Sequence, residues 1–422
     1  MSKLVTIKSI TSKVGSGATP RGGSNVYEDD GISFIRSQNV QDMYFSNSGL
    51  VYLNDVQADK LKGVTVEASD VLLNITGDSI ARSCLVPDEV LPARVNQHVA
   101  IIRCKNSNDA RYLAYYLQFL KKHLLQICKV GGTRNALTKD VIVNLKINFP
   151  EDRHARGNLL ALIDKKLDIN YRIFADLEGM AKALYDYWFV QFDFPNAEGK
   201  PYKEYGGKMV YNEVLKREIP AGWELVPIEY FADVIDPHPS HRAPKEVDSG
   251  FPFAGIGDID EAGNISLSKA RKIDEEFVLK QEKDYHIGDY SLGYGRVGTV
   301  GKVVRLKKQK FRYALSPTLS VINAKKPEFA GYVYNVMKSE EFYKHVLKNS
   351  SGTTRPAIGI QLLRKIPVLK PGLEQSGMFE HYEQVTKELF EKTNIVNKES
   401  QLLMELRDWL LPMLMNGQVT VK

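Results

Sequence analysis

Apolar residues at alternating spacings of three and four run through the stretch from Arg153 to Trp188: Leu160, Ile163, Leu167, Asn170, Phe174, Leu177, Ala181, Leu184 and Trp188, with one polar member. On an α-helix this spacing lays the side chains along one narrow seam, which needs a partner to cover it. Adding 222 to each number gives Tyr382, Val385, Leu389, Lys392, Val396, Glu399, Leu403, Leu406 and Leu410, apolar at seven of nine positions. The spacing therefore predicts two long helices that pair as a coiled coil within one chain. Their pairing residues are Leu160, Ile163, Leu167, Asn170, Phe174, Leu177 and Leu184 on the first, and Val385, Leu389, Lys392, Val396, Leu403 and Leu406 on the second. Asn170 and Lys392 share a seam position, where a buried polar residue can fix register.

With 422 residues the chain exceeds a single core, and two or three domains are expected. Lys+Arg minus Asp+Glu is 57 − 51 = +6, which permits a nucleic-acid partner without requiring one. Cys84, Cys104 and Cys128 are few and odd in number, so they read as small buried apolar residues of a reducing compartment. The N-terminal MSKLVTIKSI has no signal-peptide core, and no stretch approaches the ~18 apolar residues of a membrane span. A cytoplasmic protein is expected.

The segments preceding the two helices share a plan. Ile32-Ser33-Phe34-Ile35-Arg36 reads as a strand, Val64 to Leu73 as a strand ending in the turn Asn74 to Asp78, Val99 to Ile102 as a buried strand, and Tyr112 to Ile127 as a helix before the loop Val130 to Asn135. Phe251 matches Ile32 (251 − 32 = 219), Asp289 matches Asp70 (289 − 70 = 219), Pro317 matches Gln97 (317 − 97 = 220) and Arg355 matches Arg134 (355 − 134 = 221). Collinear matches with a slowly drifting offset indicate a tandem duplication. The expected divisions are a domain over 1–150, a long helix over 151–195, a linker over 196–222, a second domain over 223–372 and a second helix over 373–422. The fold class is α+β.

Catalytic patterns fail on inspection. Phe253-Ala254-Gly255-Ile256-Gly257 resembles a methyltransferase F-x-G-x-G turn, but Pro252 cuts its strand short and the matching Phe34 to Gln38 contains no glycine. Gly295 to Lys302 lacks phosphate-loop spacing and is followed by Val303 rather than Ser or Thr. His238 and His241 are separated by Pro239 in a loop without further ligand types, so no metal is expected. What remains is duplicated binding hardware. The loops 131–135 and 350–356 each offer hydroxyls, small residues and one Arg, suited to phosphates or base edges. Lys302, Arg305, Lys307, Lys308, Lys310 and Arg312 would form one cationic face of a strand hairpin.

The half-repeat plan resembles the specificity subunit of Type I restriction-modification enzymes. So do GGTRNALTKDVIVNLKINFP with its counterpart GTTRPAIGIQLLRKIPVLKP, and ALYDYWFVQFDFPNAEGKPY at the end of the first helix. The resemblance covers nearly the whole chain. It implies two target recognition domains that read a split double-stranded DNA sequence, held apart by an antiparallel coiled coil. It also implies a non-catalytic chain whose partners are two methyltransferase subunits that bind S-adenosylmethionine and restriction/translocase subunits that use ATP and Mg. No cofactor and no membrane are implied for the chain itself. The family's separate N-terminal conserved segment is not visible here, because the first domain begins almost at Met1. DNA contacts are expected from strand ends and loops: Arg36, Gln38, Asn39, Thr76, Asp78, Arg134 and Asn135 in the first domain, and Asp258, Tyr294, Arg296, Thr354 and Arg355 in the second. Two other classes stay open on the residues alone: a duplicated adaptor with a non-DNA partner, and a methyltransferase in its own right.

Overall fold

The computed structural model describes residues 3–130, 136–238, 243–267, 270–288, 290–352, 356–375 and 377–421. The chain divides into two compact units, Met1–Ile169 with Ser400–Lys422, and Asn170–Glu399.

The first unit opens with β1 (Lys3–Thr6), α1 (Ile7–Ile10) and β2 (Thr11–Ser16). Next come β3 (Ile32–Ile35), β4 (Val51–Leu53), α2 (Asp55–Lys60), β5 (Thr65–Val66), β6 (Val71–Asn74), β7 (Ser83–Leu85), β8 (Ala93–Val95) and β9 (Val99–Cys104). After these lie α3 (Asp109–Phe119), α4 (Lys121–Val130), α5 (Lys139–Asn144), β10 (Lys146–Phe149) and the start of α6 (Arg153–Tyr185). One sheet has the order β2-β9-β6-β7; another, β4-β3-β8-β5, contains the parallel pair β3–β8; and β1 pairs with β10. Successive strand side chains point to opposite faces. In β6, Val71 and Leu73 accordingly join the core built on α3, while Leu72 joins a second core with Ile35 and Val95. A strand covered on both faces reads as the unbroken apolar run Val71-Leu72-Leu73.

The single strand expected over Val64 to Leu73 is two, β5 and β6, lying in different sheets. Ser69 takes a positive φ of 65°, and the Glu67 amide donates to Asp70 Oδ2 at 2.8 Å, closing a turn between them. Asp70, fully buried, is held there by the Arg103 guanidinium through two 2.8 Å bonds. The helix expected over Tyr112 to Ile127 is also two, broken at Leu120.

The second unit contains β11 (Met209–Asn212), β12 (Arg217–Pro220), β13 (Glu224–Pro227), β14 (Ala232–Ile235), β15 (Phe251–Ala254), β16 (Arg271–Ile273) and α7 (Glu275–Asp284). It continues with β17 (Leu292–Gly295), β18 (Val303–Arg305), β19 (Ala314–Leu315), β20 (Leu319–Ala324), α8 (Ala330–Lys338), α9 (Glu340–Lys348), α10 (Ile360–Arg364), β21 (Pro367–Lys370) and the start of α11 (Met378–Met415). Its sheets run β14-β20-β17-β18, β16-β15-β19 with β15–β19 parallel, β13-β21 and β11-β12. Residues 196–222, expected to be a linker, hold the β11–β12 hairpin, and the chain around it enters the core. Phe189, Phe192, Phe194, Ile219 and Trp223 are buried, and Phe194 stacks on Trp223 with centroids 5.4 Å apart. Their spacing is irregular because they plug into a cluster rather than line a face.

Each long helix contributes residues to both units. In the first unit the Arg156 guanidinium donates to the carbonyl of Leu414, and Arg407 Nη1 to Asp164 Oδ1 at 3.1 Å. In the second, Trp188 packs against Tyr382, and Asn170 donates to Glu399 at 2.8 Å. On α6 the expected residues Leu160, Ile163, Leu167 and Asn170 are buried, while Phe174, Leu177 and Leu184 are half-buried.

On α11 the buried face lies one residue beyond the expected one. Val385, Lys392 and Leu406 are exposed, and Leu389, Val396 and Leu403 are half-buried on the flank. Tyr382 is buried as expected, but further along Thr386, Phe390, Thr393 and Ser400 are buried instead. The face is small and polar because α11 lies hard against α8: a Cβ on Gly331 would stand 2.4 Å from Thr386 Oγ1. Both threonines satisfy themselves by donating to carbonyls one turn back, Thr386 to Tyr382 at 2.9 Å and Thr393 to Leu389 at 2.6 Å.

Candidate nucleic-acid interface

The expected contact residues of the first unit gather where β6 ends. The Asn74 amide donates to the carbonyls of Ser37 and Val40 at 2.8 and 3.1 Å, fastening the loop after β3 to this end. That loop presents Gln38, exposed, and Arg36, half-buried; both donate to the Gly49 carbonyl, and the Arg36 guanidinium lies 5.5 Å from the Tyr27 ring centroid. Thr76 Oγ1 is 2.6 Å from His98 Nδ1, and Asp78 is exposed in the turn opened by Gly77, whose φ is 75°. Ala136, the first described residue after the loop holding Arg134 and Asn135, forms a bridge with Thr76. Arg134 and Asn135 themselves lie outside the described residues, as do Thr354, Arg355 and His241.

The second unit builds a corner with the same hydrogen bonds. In the first, the Ile75 amide donates to His98 O at 3.0 Å, and Ile75 O accepts from Leu137 N at 2.9 Å. In the second, the Arg296 amide donates to Thr318 O at 2.9 Å, and Arg296 O accepts from Ile358 N at 2.9 Å. Gly298, with a φ of 76°, stands where Gly77 does. The loop after β15 is drawn to this corner too, since Thr318 Oγ1 accepts from the Ile256 amide at 3.1 Å. Asp258 is half-buried and accepts from the Gly255 amide at 2.8 Å.

Several expected contacts are structural. Asn39 is fully buried; its Oδ1 accepts from the Arg36 amide and its Nδ2 donates to Ser46 O, so it shapes the loop that carries Arg36 and Gln38. Tyr294 is also fully buried, edge-on to Phe342 at 5.7 Å, and burial drives its hydroxyl pKa well up; no DNA group can reach it. Its place on a strand inside the sheet outweighs its nearness in sequence to the corner. Arg296 is 5% exposed and bound to Asp236 at 2.7 Å, leaving its backbone, not its guanidinium, in the corner.

The cationic face expected over 302–312 is divided. Lys302 Nζ donates to the carbonyls of Ile256 and Ile259 at 3.0 and 2.7 Å. Arg305 turns inward, Lys307 donates to Asn264 at 2.8 Å, and Arg312 pairs with Glu275. Lys308 and Lys310 stay exposed. The methyltransferase-like turn at 253–257 has its Gly255 and Ile256 amides taken by Asp258 and Thr318. His238 rests against Phe253, and no group of metal-ligating side chains occurs among the described residues.

His98, Ser316 and Thr318 are corner residues that sequence reasoning passed over. The match of Pro317 to Gln97 already set Thr318 opposite His98, so the repeat itself carried the signal. Gln38, Arg36, Thr76, His98 and Asp78 in the first unit, and separately Thr318 and Asp258 in the second, supply donors and acceptors of the kinds that meet base edges and phosphates.

Residues 2–178 match the family model described as the Type I restriction modification DNA specificity domain. The chain is 25% identical over 344 residues to the Type I restriction enzyme MjaIX specificity subunit of Methanocaldococcus jannaschii, covering 78% of this chain and 74% of that one. It is 25% identical over 343 residues to the Type I restriction enzyme HindI specificity subunit of Haemophilus influenzae, covering 68% and 72%. The crystal structure of the Type-I restriction-modification system S subunit from M. genitalium superposes with a TM-score of 0.55 at 14% identity, covering 98% of this chain and 96% of that one, a likeness of fold.

Proposed function

We propose that the chain, which matches the Type I restriction modification DNA specificity domain over residues 2–178 and is 25% identical to two Type I restriction enzyme specificity subunits, is a non-catalytic specificity subunit that reads a bipartite DNA site. The two units would be repeated recognition domains, one for each half of the target. The observation that carries this reading is the paired corner: His98–Ile75–Leu137 in one unit and Thr318–Arg296–Ile358 in the other share one backbone hydrogen-bond scheme but carry different side chains. Equivalent backbones with unlike side chains suit two unlike half-sites, and the residues after β3 and β15 and around the two corners would make the contacts.

The long helices would pair as an antiparallel coiled coil. Contacts of the first half of α6 with the end of α11 in one unit, and of Trp188, just after α6, with Tyr382 near the beginning of α11 in the other, support this. The 33 residues of α6 span about 50 Å at ~1.5 Å per residue, so the pair can act as a ruler between half-sites. Both helices also carry exposed apolar residues at near-heptad spacing, Leu162, Ile169, Ile173 and Met180 on α6, and Ile395, Leu402, Leu406 and Trp409 on α11. These faces suit helices of partner subunits. The partners would be two methyltransferase subunits holding S-adenosylmethionine and restriction/translocase subunits using ATP and Mg, in the cytoplasm. No described helix is long and apolar enough to cross a membrane.

The test is co-expression with the neighbouring methyltransferase subunit in a modification-free host, with methylated adenines mapped by long-read sequencing. A split motif that appears only with both chains is expected. No new methylation from an assembled complex would reject the reading in favour of an adaptor with a non-DNA partner.

A further inference from the structure

Glu178 lies midway along α6 with its side chain 13% exposed, a costly place for a carboxylate unless donors converge on it. Three do. Arg305 Nη2 reaches Oε1 at 2.7 Å, while Lys338 Nζ and the Tyr334 hydroxyl reach Oε2 at 2.7 and 2.5 Å. Arg305 closes β18, and α8 carries the other two donors. The Arg305 guanidinium is gripped further by α11, donating to Asn394 Oδ1 at 3.2 Å and lying 4.4 Å from the Phe390 ring centroid. One side chain of the recognition sheet is thus held by both long helices.

This sheet carries the second corner. β18 pairs with β17, whose next residue is Arg296, and just beyond Arg305 come the exposed Lys308 and Lys310. An apolar contact tolerates sliding, whereas a planar guanidinium held by a carboxylate, an amide oxygen and two rings is fixed in position and angle. In the first unit Asp164 of α6 accepts from Tyr115 of α3 and Arg407 of α11, and among the described residues no sheet cation joins them.

We propose that Glu178 is a positioning residue, clamping the second recognition sheet to the long helices through Arg305 and so setting the one spacer length at which the second half-site is read. The proposal rests on the bipartite-recognition reading. It concerns spacing alone: the Arg305 and Glu178 side chains are 9% and 13% exposed, too buried to read bases, so loss of the clamp should leave the recognised bases unchanged.

The experiment is methylation mapping of the co-expressed complex on a library whose half-sites are separated by the natural spacer and by one base pair more or fewer. Glu178→Gln leaves Arg305 buried without its counter-ion, so the paired variant Glu178→Gln/Arg305→Met, which removes both charges together, guards against simple unfolding. Tyr334→Phe removes one donor and keeps the volume. Lys182→Gln, at an exposed pair on the same helix, serves as control. Expected is a rise of at least about tenfold in methylation at the altered spacers for the paired variant, a smaller rise for Tyr334→Phe, none for the control, and unchanged half-site bases in all. A single spacer retained by an assembled paired variant, or altered bases at the natural spacer, overturns the proposal. A wild-type complex that methylates no split motif overturns the recognition reading itself, and the clamp's role with it.

Discussion

Asn170 donates through Nδ2 to Oε2 of Glu399 at 2.8 Å, joining α6 to α11 across residues 229 apart in sequence. Asn170 is 1% exposed, so its amide is a buried polar group on an otherwise apolar face, the kind that selects one register among several. Glu399 belongs to the seam expected on α11, yet most of the face that α11 buries lies one residue further along, at Thr386, Phe390, Thr393 and Ser400.

The shift makes a sharp prediction. Thr386→Asp puts a charge on the buried face beside Glu383 and should cost ~3 kcal/mol or more. Val385→Asp, on an exposed position, should stay within about 0.5 kcal/mol. Urea unfolding of the isolated chain checks both. Equal costs would return the seam to the position expected from the apolar pattern.

Acid should weaken the second unit through Glu178. Burial pushes its carboxyl pKa up, but Lys338, Arg305 and the Tyr334 hydroxyl outweigh that and hold it below its ordinary value. A folded-state pKa below the unfolded one means stability that is present above the ordinary carboxylate range, about pH 4.3, and lost as pH falls through the folded value. The advantage of wild type over Glu178→Gln in urea titrations should therefore be full near neutrality and shrink as pH drops below about 4.

Glu383 should behave in the opposite sense. Burial raises its pKa more than the Gly331 amide, 3.0 Å from Oε2, lowers it. Its ionised form is disfavoured in the fold, so this group gains stability as pH falls through the folded value. Glu383→Gln keeps an acceptor for Gly331 without the charge and should raise stability at pH 7 by up to ~1 kcal/mol, measured as a higher denaturation midpoint.

The three cysteines should be inert in the native chain. Cys84, Cys104 and Cys128 are free and buried, and burial pushes the Cys84 and Cys104 thiols up to about 12. Alkylation with iodoacetamide at pH 8, followed by mass spectrometry, should label none of them within minutes and all of them in denaturant. Rapid native labelling at Cys84 would contradict the packing of the core between the two sheets of the first unit.

Contact residues should separate by half-site. Gln38→Ala and Arg134→Ala should each weaken binding of the assembled complex by ~1–3 kcal/mol through the first half-site, and Arg355→Ala through the second. Fluorescence anisotropy with duplexes altered in one half at a time checks this. Unchanged affinity and unchanged preference in all three variants would remove these loops from the interface.

Much of the architecture was legible in the residues. Leu160, Ile163, Leu167 and Asn170 line a buried helical face because three- and four-residue spacing is a local property of one helix. The ordered offsets pointed to equivalent strands because insertions displace a repeat without reordering it, and they held His98 opposite Thr318. What spacing could not convey was which side a second helix would bury. Apolar content favoured Val385 and Leu406, whereas close approach to Gly331 selects small Thr386.

The sequence by itself determined the two long helices and the strand-rich segments before them, since each follows from periodicity within a few turns or strands. Only the tertiary structure decided which charges are surface and which are anchors. Arg296, Lys302 and Arg305 read along the chain like any surface cations, yet they are bound to Asp236, to loop carbonyls and to Glu178. A buried cation is stable only where its partners meet it, and Arg305 meets a carboxylate 127 residues away, a distance that no local pattern spans.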